Sequence, residues 1–404
     1  MKRTHQRNSV RYYLLLIALF IALFFIGDFG TLDTQKTAIV MAVGVDRRED
    51  TFIVTSQIAI PQSSKQGKAS ETVQLVSRGK TVADAFADIN AKTGWYPKLV
   101  FCNLIILGEN TAKENVFDAL EFFLLNEYLS DGCLLATCDG LAKDLLNVTA
   151  LVDPSGSVAM QKILSEHANR VGTVLPTTLR EFAVGYYGES ASGYMPVIQT
   201  KPQQEEQSET NVTTGAGEEN SSQQGGGQDK SAGNTDKPVF SAEETALFLH
   251  GKRVETLSKE ETFAVNCVKN KLRLAGYSVP HQEEFCTLSI KDNATKTKLS
   301  VSKDGRAGYE ISITLSAGLA DRSSARKIYK TKDLGDVPDG VFSSAEKRLA
   351  SQIESTFEKC KNAGCDLFEI RDTLQKFHPD KQDFSATVLQ NTTVKTRVKF
   401  RNVR

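Results

Sequence analysis

Apolar positions follow three patterns in succession along this chain. Tyr12 to Gly27 (YYLLLIALFIALFFIG) is an unbroken apolar run of 16 residues. Short β-branched runs then alternate with helical stripes as far as Thr200, and after a long polar interruption the same mixture resumes. Thr37 to Val45 and Thr51 to Ile60 read as two strands around the charged turn Asp46 to Asp50, a hairpin pattern. Residues 72 to 78 alternate as a third strand. Thr81 caps a helix in which Val82, Ala85, Phe86 and Ile89 recur at i, i+3, i+4 and i+7. Lys98 to Leu107 reads as one buried strand, Val116, Leu120, Phe123 and Leu124 as a helical face, and Cys133 to Cys138 as another strand. Helices near Val158 to Ala168 and Thr177 to Ala183 are weaker.

Lys201 to Lys237 contains one Val and no other large apolar residue. Such a segment buries too little surface to offset backbone ordering, at about 1–2 kcal/mol per residue, so a flexible linker is expected. Beyond it, Thr245 to His250 and Arg253 to Leu257 flank Gly251-Lys252 as a second hairpin. Ser258 and Glu261 form a capping box for the next helix. Residues 285–291, 296–302 and 308–316 alternate as strands. The strongest helix is expected over Ser344 to Lys361, opened by a Ser343/Glu346 box, striped by Leu349, Ile353, Phe357 and Cys360, and stopped at Gly364. A helix from Leu367 to Phe377 and a strand from Thr387 to Phe400 close the chain. The fold class is α+β: an N-terminal transmembrane helix followed by two or three extracytoplasmic domains in which helices pack on mixed or antiparallel sheets.

The first run carries the localisation. Its membrane-facing positions are Tyr12, Leu14, Leu15, Leu16, Ile17, Leu19, Phe20, Ile21, Leu23, Phe24, Phe25 and Ile26. As a helix the run reaches roughly 24 Å, and Val10, snorkelling Arg11 and Phe29 extend it toward a hydrocarbon core of about 30 Å. Its Leu, Ile and Phe residues favour insertion by about 3–7 kcal/mol. Lys2, Arg3, Arg7 and Arg11 precede it, which keeps residues 1–11 cytoplasmic and sends the bulk of the chain outside. A cleaved signal peptide is one alternative, because Leu14 to Ile26 has the length of an h-region, and a buried core helix is another, because 13 residues is also a core helix's length. Small residues at both −1 and −3 are missing, however: Gly27 pairs with Phe25, and Gly30 with Asp28. The first Cys is Cys102, which excludes a lipoprotein signal.

Composition narrows the chemistry. Forty-nine basic residues balance 49 acidic ones over 404 residues, with no basic stripe interleaved with aromatics, which argues against nucleic acid as a partner. Seven Cys form no CxxC pair. Cys133/Cys138 and Cys360/Cys365 are near enough in sequence to bridge, and buried free thiols fit equally well. Five His at 5, 167, 250, 281 and 378 have no ligand-spaced neighbours, so no metal is expected, and no cofactor motif is present. GxSxG, HExxH, Walker and GxGxxG patterns are missing. Ser300-x-x-Lys303 and Ser324-x-x-Lys327 lack a downstream KTG. His378-Pro379-Asp380 reads as a proline-stopped helix end.

Several stretches together resemble the Ger(x)C family, the C subunits of nutrient germinant receptors in endospore-forming bacteria. Ala38 to Asp46 (AIVMAVGVD), with Gly44 and Asp46, is similar to its first strand. Gly79-Lys80-Thr81 and Pro97 to Phe101 running to Gly108-Glu109 resemble its helix start and its following strand. Thr245 to Phe248, Gly251-Lys252 and Ser258 to Thr262 resemble the block opening its second half. Gly364 to Phe368, with Asp366, and Phe377 to Pro379 resemble its last motif. The likeness spans most of residues 37 to 380. It implies domains at 31–199 and 240–404 joined by a linker at 200–239, after an anchor at 12–29. It also implies a non-catalytic subunit in the spore inner membrane, with two multi-spanning receptor subunits as partners, one of them transporter-like and binding the nutrient. Family members usually carry a lipobox Cys before Trp-Asp; Asp28, Phe29 and Gly30 stand there in this chain, so one transmembrane helix would replace the lipid. The readings from other classes are an anchored cell-envelope hydrolase or transferase, and an envelope scaffold.

Overall fold

The computed structural model describes residues 12–20, 37–59, 72–149, 153, 155–165, 171–201, 238–282, 284–323 and 337–403. Residues 12–20 are helical and exposed. Among the described residues no helix is long and apolar enough to cross a membrane, and the remainder of the expected span, 21–29, lies outside them.

β1 (Thr37–Arg48) and β2 (Thr51–Ala59) pair through Arg48↔Thr51, so the expected five-residue turn contracts to Glu49 and Asp50. Asp46 therefore belongs to the strand, and it is buried. β3 (Thr72–Gly79) joins the far side of β2. Thr81 accepts the Asp84 amide at 3.1 Å and caps α1 (Val82–Thr93), which buries Val82, Ala85, Phe86 and Ile89 as its spacing predicts. The single strand expected over Lys98 to Leu107 is two: β4 (Tyr96–Lys98) and β5 (Leu104–Leu107) both lie parallel to β1, either side of the pairing irregularity at Val40/Ala42. Between them the Cys102 amide closes a turn on the Leu99 carbonyl at 2.9 Å.

α2 (Glu109–Lys113) and α3 (Phe117–Leu124) follow, then β6 (Leu134–Cys138), α4 (Ala142–Asn147), α5 (Gly156–Leu164), β7 (Thr177–Thr178) and α6 (Leu179–Tyr187). β8 (Ser192–Lys201) and β9 (Val239–Leu249) pair antiparallel, and β10 (Lys252–Leu257) returns along β9. The resulting mixed sheet runs β10-β9-β8-β6-β5-β1-β2-β3, with β4 and β7 at its margins. α1, α3 and α6 cover one face; α4 and α5 cover the other. The division expected at 200–239 thus falls between two neighbouring strands of one sheet: Thr200 and Lys201 end β8, Val239 begins β9, and 202–237 of the expected linker lie outside the described residues.

α7 (Lys259–Val268) opens the second half with the predicted box: the Glu261 amide donates to Ser258 Oγ at 3.3 Å, and the Ser258 amide to Glu261 Oε2 at 2.8 Å. β11 (Ala275–His281), β12 (Glu284–Val301), β13 (Ala307–Arg322) and the last strand, β14 (Thr392–Asn402), form a four-stranded sheet, β14 parallel to β13. β12 is continuous where two strands were expected, and β11 was unforeseen. β13 alternates buried and exposed side chains, as a sheet covered on one face must. α8 (Val341–Asn362) lies on the buried face with Leu349, Ile353, Phe357 and Cys360 inward. It begins at Gly340, in the left-handed region at φ 87°, and the expected Ser343/Glu346 box does not form. Glu346 instead accepts the Phe400 amide at 2.9 Å. α9 (Ile370–Phe377) starts three residues later than expected, and Pro379 opens a 3₁₀ turn after it.

Candidate functional site: two buried carboxylates and the cleft between the halves

Four of the family-motif residues meet at the upper edge of the first sheet. Asp46 projects from β1 and accepts the amides of Ala142 at 2.7 Å and Lys143 at 3.0 Å. It caps α4 from a strand 96 residues away, supplying the acceptor that Leu141 at the helix start lacks. At Gly44 a Cβ would lie 3.0 Å from Leu146 and 3.1 Å from Ala142, so glycine lets α4 pack closely on β1. At Gly108 a Cβ would fall 2.0 Å from Asp46 Oδ1, so only glycine lets the carboxylate in. The Glu109 amide donates to the Gly140 carbonyl at 2.8 Å, and Gly140 has φ 110°. Burial pushes the Asp46 carboxyl above its ordinary range, against the opposing pull of its two backbone donors. This is the geometry of a structural fastener, with both carboxylate oxygens engaged.

Asp366 repeats the device in the second half. It is buried and accepts the amides of Ile370 at 2.9 Å and Arg371 at 2.7 Å, capping α9. Its own amide donates to Ser192 Oγ at 3.1 Å, and Arg371 Nη1 donates to the Ser190 carbonyl at 3.2 Å, so this cap also fastens the second half to β8. Burial again raises the carboxyl's pKa, with Arg371 and the two amides opposing. Asn266 adds a second fastening, donating to the carbonyls of Gly172 and Val174, both at 2.9 Å. Lys359 Nζ donates to the Thr256 carbonyl at 2.8 Å. Leu175, Leu247 and Leu257 from the first half belong to the apolar core of the second. The two halves are packed as one body.

Beside this seam opens a cleft of about 590 Å³, bounded by α6, β8, the end of α7 and the residues leading into α9. Both signs of charge line it: Arg180, Lys269 and Lys271 against Glu181, Glu369 and Asp372. Lys269 Nζ bonds Glu369 at 2.6 Å and lies 5.6 Å over the Tyr194 ring. Burial lowers the Lys271 ammonium's pKa and raises that of the Asp372 carboxyl. Tyr309 donates to the Phe368 carbonyl at 3.2 Å, and burial pushes its phenol up to about 12. Ser192 Oγ, on the cleft wall, donates to the Ser190 carbonyl at 2.9 Å while accepting the Asp366 amide. This arrangement can bind and position polar groups.

The remaining motif residues are dispersed. Gly79 lies against the start of α1, where a Cβ would meet the Ala85 amide nitrogen at 2.4 Å. Pro97 sits in β4 opposite Ala38. Gly251, with φ 74°, completes the β9–β10 turn with His250 at φ 49°, and its carbonyl accepts the Val116 amide at 2.9 Å. Pro379 follows His378, whose Nε2 lies 3.2 Å from the Leu299 carbonyl. Ser300 Oγ donates to the Gly308 carbonyl at 3.1 Å; residues 324–336 lie outside the described residues. All seven cysteines are free and buried, including both pairs considered for bridging. The Ser192, Arg371 and Lys271 contributions were not foreseeable, because nothing in a single polar residue's neighbours in sequence marks it as crossing a seam.

Residues 31–200 match the family described as the spore germination protein N-terminal domain, and residues 243–404 match spore germination B3/GerAC-like, C-terminal. The chain belongs to the Ger(x)C family. This Ger(x)C chain is 22% identical over 389 residues to spore germination protein B3 of Bacillus subtilis (strain 168), a match taking in 94% of the chain and 91% of that protein. Its fold is similar to that in the crystal structure of the GerBC protein, with a TM-score of 0.52 at 16% identity, over 90% of this chain and 97% of that one. The second of the two matches begins at residue 243, inside β9, so in the Ger(x)C chain the boundary between the two sequence families and the boundary between the two sheets differ by one hairpin.

Proposed function

We propose that this chain is a non-catalytic, membrane-anchored subunit of a spore nutrient germinant receptor, required for the germination response. The observation that carries this reading is the match of both family models, in order, along a relative covered almost end to end. The built features agree with it. Both buried carboxylates serve as helix caps, and in the cleft between the halves Lys269 pairs with Glu369.

In this reading residues 1–11 stay in the cytoplasm, 12–29 form the single membrane span in place of a lipid, and the two sheet-bearing halves beyond it stand on the outer face of the spore inner membrane. There they assemble with two multi-spanning subunits, one transporter-like, which binds the nutrient. The anchor acts by confinement: tethering raises the effective concentration of a weak contact without adding to it. The test replaces residues 1–30 with an unrelated signal anchor in spores. Germination in response to nutrient should persist. Its loss while the protein still accumulates in the membrane would show that the helix makes specific contacts and that confinement does not suffice.

A further inference from the structure

The chain enters its fold beside an exposed aromatic cluster. β1 and β4 run parallel, with Thr37 opposite Tyr96 and Ile39 opposite Lys98. Around that register Trp95, Tyr96, Val100 and Phe101 each expose between 42% and 53% of their surface. β1, β4, β5 and β6 all run in the same direction, so their first residues share one end of the sheet. Leu125 and Tyr128, on the approach to β6, belong to that end and are exposed at 75% and 59%. Lys98 Nζ lies 4.7 Å over the Tyr128 ring and joins the two groups.

A contiguous apolar surface of this kind on a folded domain marks a contact site. Its composition separates a lipid surface from a protein partner. Tryptophan, tyrosine and lysine together are the residues that settle at the headgroup level of a bilayer, where a ring is half apolar and half wet. The nearby charges are of both signs, with Lys92 paired to Asp88 at 2.6 Å and Arg180 to Asp131 at 3.5 Å, which suits a zwitterionic bilayer better than an anionic one. Reach makes the contact geometrically natural. Seven residues separate Phe29 from Thr37, eight steps that span at most about 29 Å, so this end of the sheet stays within that distance of the membrane entered by residues 12–29.

We propose that this aromatic edge is a lipid-docking surface, whose rings insert among zwitterionic headgroups and fix the orientation of the molecule on the bilayer. The inference rests on the anchor reading, and the experiment separates the two. Trp95 is the one tryptophan of the chain, so its emission reports this surface alone. The full chain is reconstituted into phosphatidylcholine vesicles with and without lipids brominated high on their acyl chains, then floated before and after an alkaline carbonate wash. The expected result is flotation that survives the wash, a blue-shifted Trp95, loss of its emission to the brominated lipid, and protection from aqueous acrylamide. A variant carrying Phe101→Ser and Tyr128→Ser, both exposed, should float equally and regain much of the quenched emission. Flotation with Trp95 open to acrylamide and untouched by bromine would overturn the docking surface and leave the anchor. Bromine quenching that disappears together with flotation after the wash would overturn the anchor and leave the docking surface; neither flotation nor quenching would overturn both.

Discussion

Asp46 and Asp366 use one device twice. A carboxylate from outside the helix, distant in sequence for Asp46 and just upstream for Asp366, caps a helix start that carries no side-chain cap of its own, and burial raises its pKa. Because the folded value lies above the unfolded one, the stability linked to this titration is fully present below the ordinary aspartate value of about 3.9 and is lost as pH rises through the raised folded value. Asp46→Asn keeps an acceptor for one of the two amides and removes the titrating group. Relative to this variant, the native chain should lose stability as pH rises above about 4, read as a fall of the native urea midpoint relative to the variant's. Asp46→Ala leaves two amides without an acceptor and should cost about 2 kcal/mol. Gly108→Ala attacks the same site from the other side. Its methyl would overlap the carboxylate, so a loss of about 3 kcal/mol or a failure to fold is expected, checked by thermal melting.

At the scale of single elements, the two capping boxes written in the sequence have opposite fates. Ser258→Ala should destabilise by about 1 kcal/mol, because both reciprocal bonds exist. Ser343→Ala should stay within about 0.5 kcal/mol, since α8 has already begun at Val341, which is fully buried, and Glu346 serves the β14 backbone. A denaturant titration of both variants separates the outcomes. The same contrast explains what the sequence made legible. Local signals that met no competitor, such as Thr81 with the Val82, Ala85, Phe86 and Ile89 stripe, were readable directly. β8 and β11 were hidden because each contains a proline, Pro196 and Pro280, which reads as a strand breaker. Both positions tolerate it: β11 is an edge strand, and β6 pairs with β8 only at Val197 and Ile198. The motif residues were visible, but that Gly44, Asp46 and Gly108 meet, and that Asp366 reaches Ser192, depends on contacts across 60 to 170 residues that no periodicity records.

Across the whole molecule, the first sheet and the seam decide how the halves behave. A protease cut anywhere between residues 202 and 237 should leave both fragments co-migrating on a native gel, because β8 and β9 pair from Ser192↔Leu249 to Lys201↔Val239 and the second half adds the Asn266 and Asp366 fastenings. Separation of the fragments without denaturant would contradict that packing. The distribution of sulfur offers a way to watch the same body come apart. Cys102, Cys133 and Cys138 lie in the first half, Cys267, Cys286, Cys360 and Cys365 in the second, all buried and unbridged. Burial pushes the thiols of Cys138 and Cys365 up to about 12, which silences them toward alkylating reagents while the fold is intact. Each half thus carries its own unlabelled gauge of local opening: intact mass after a brief alkylation pulse would count three adducts for one half and four for the other, with no residue changed.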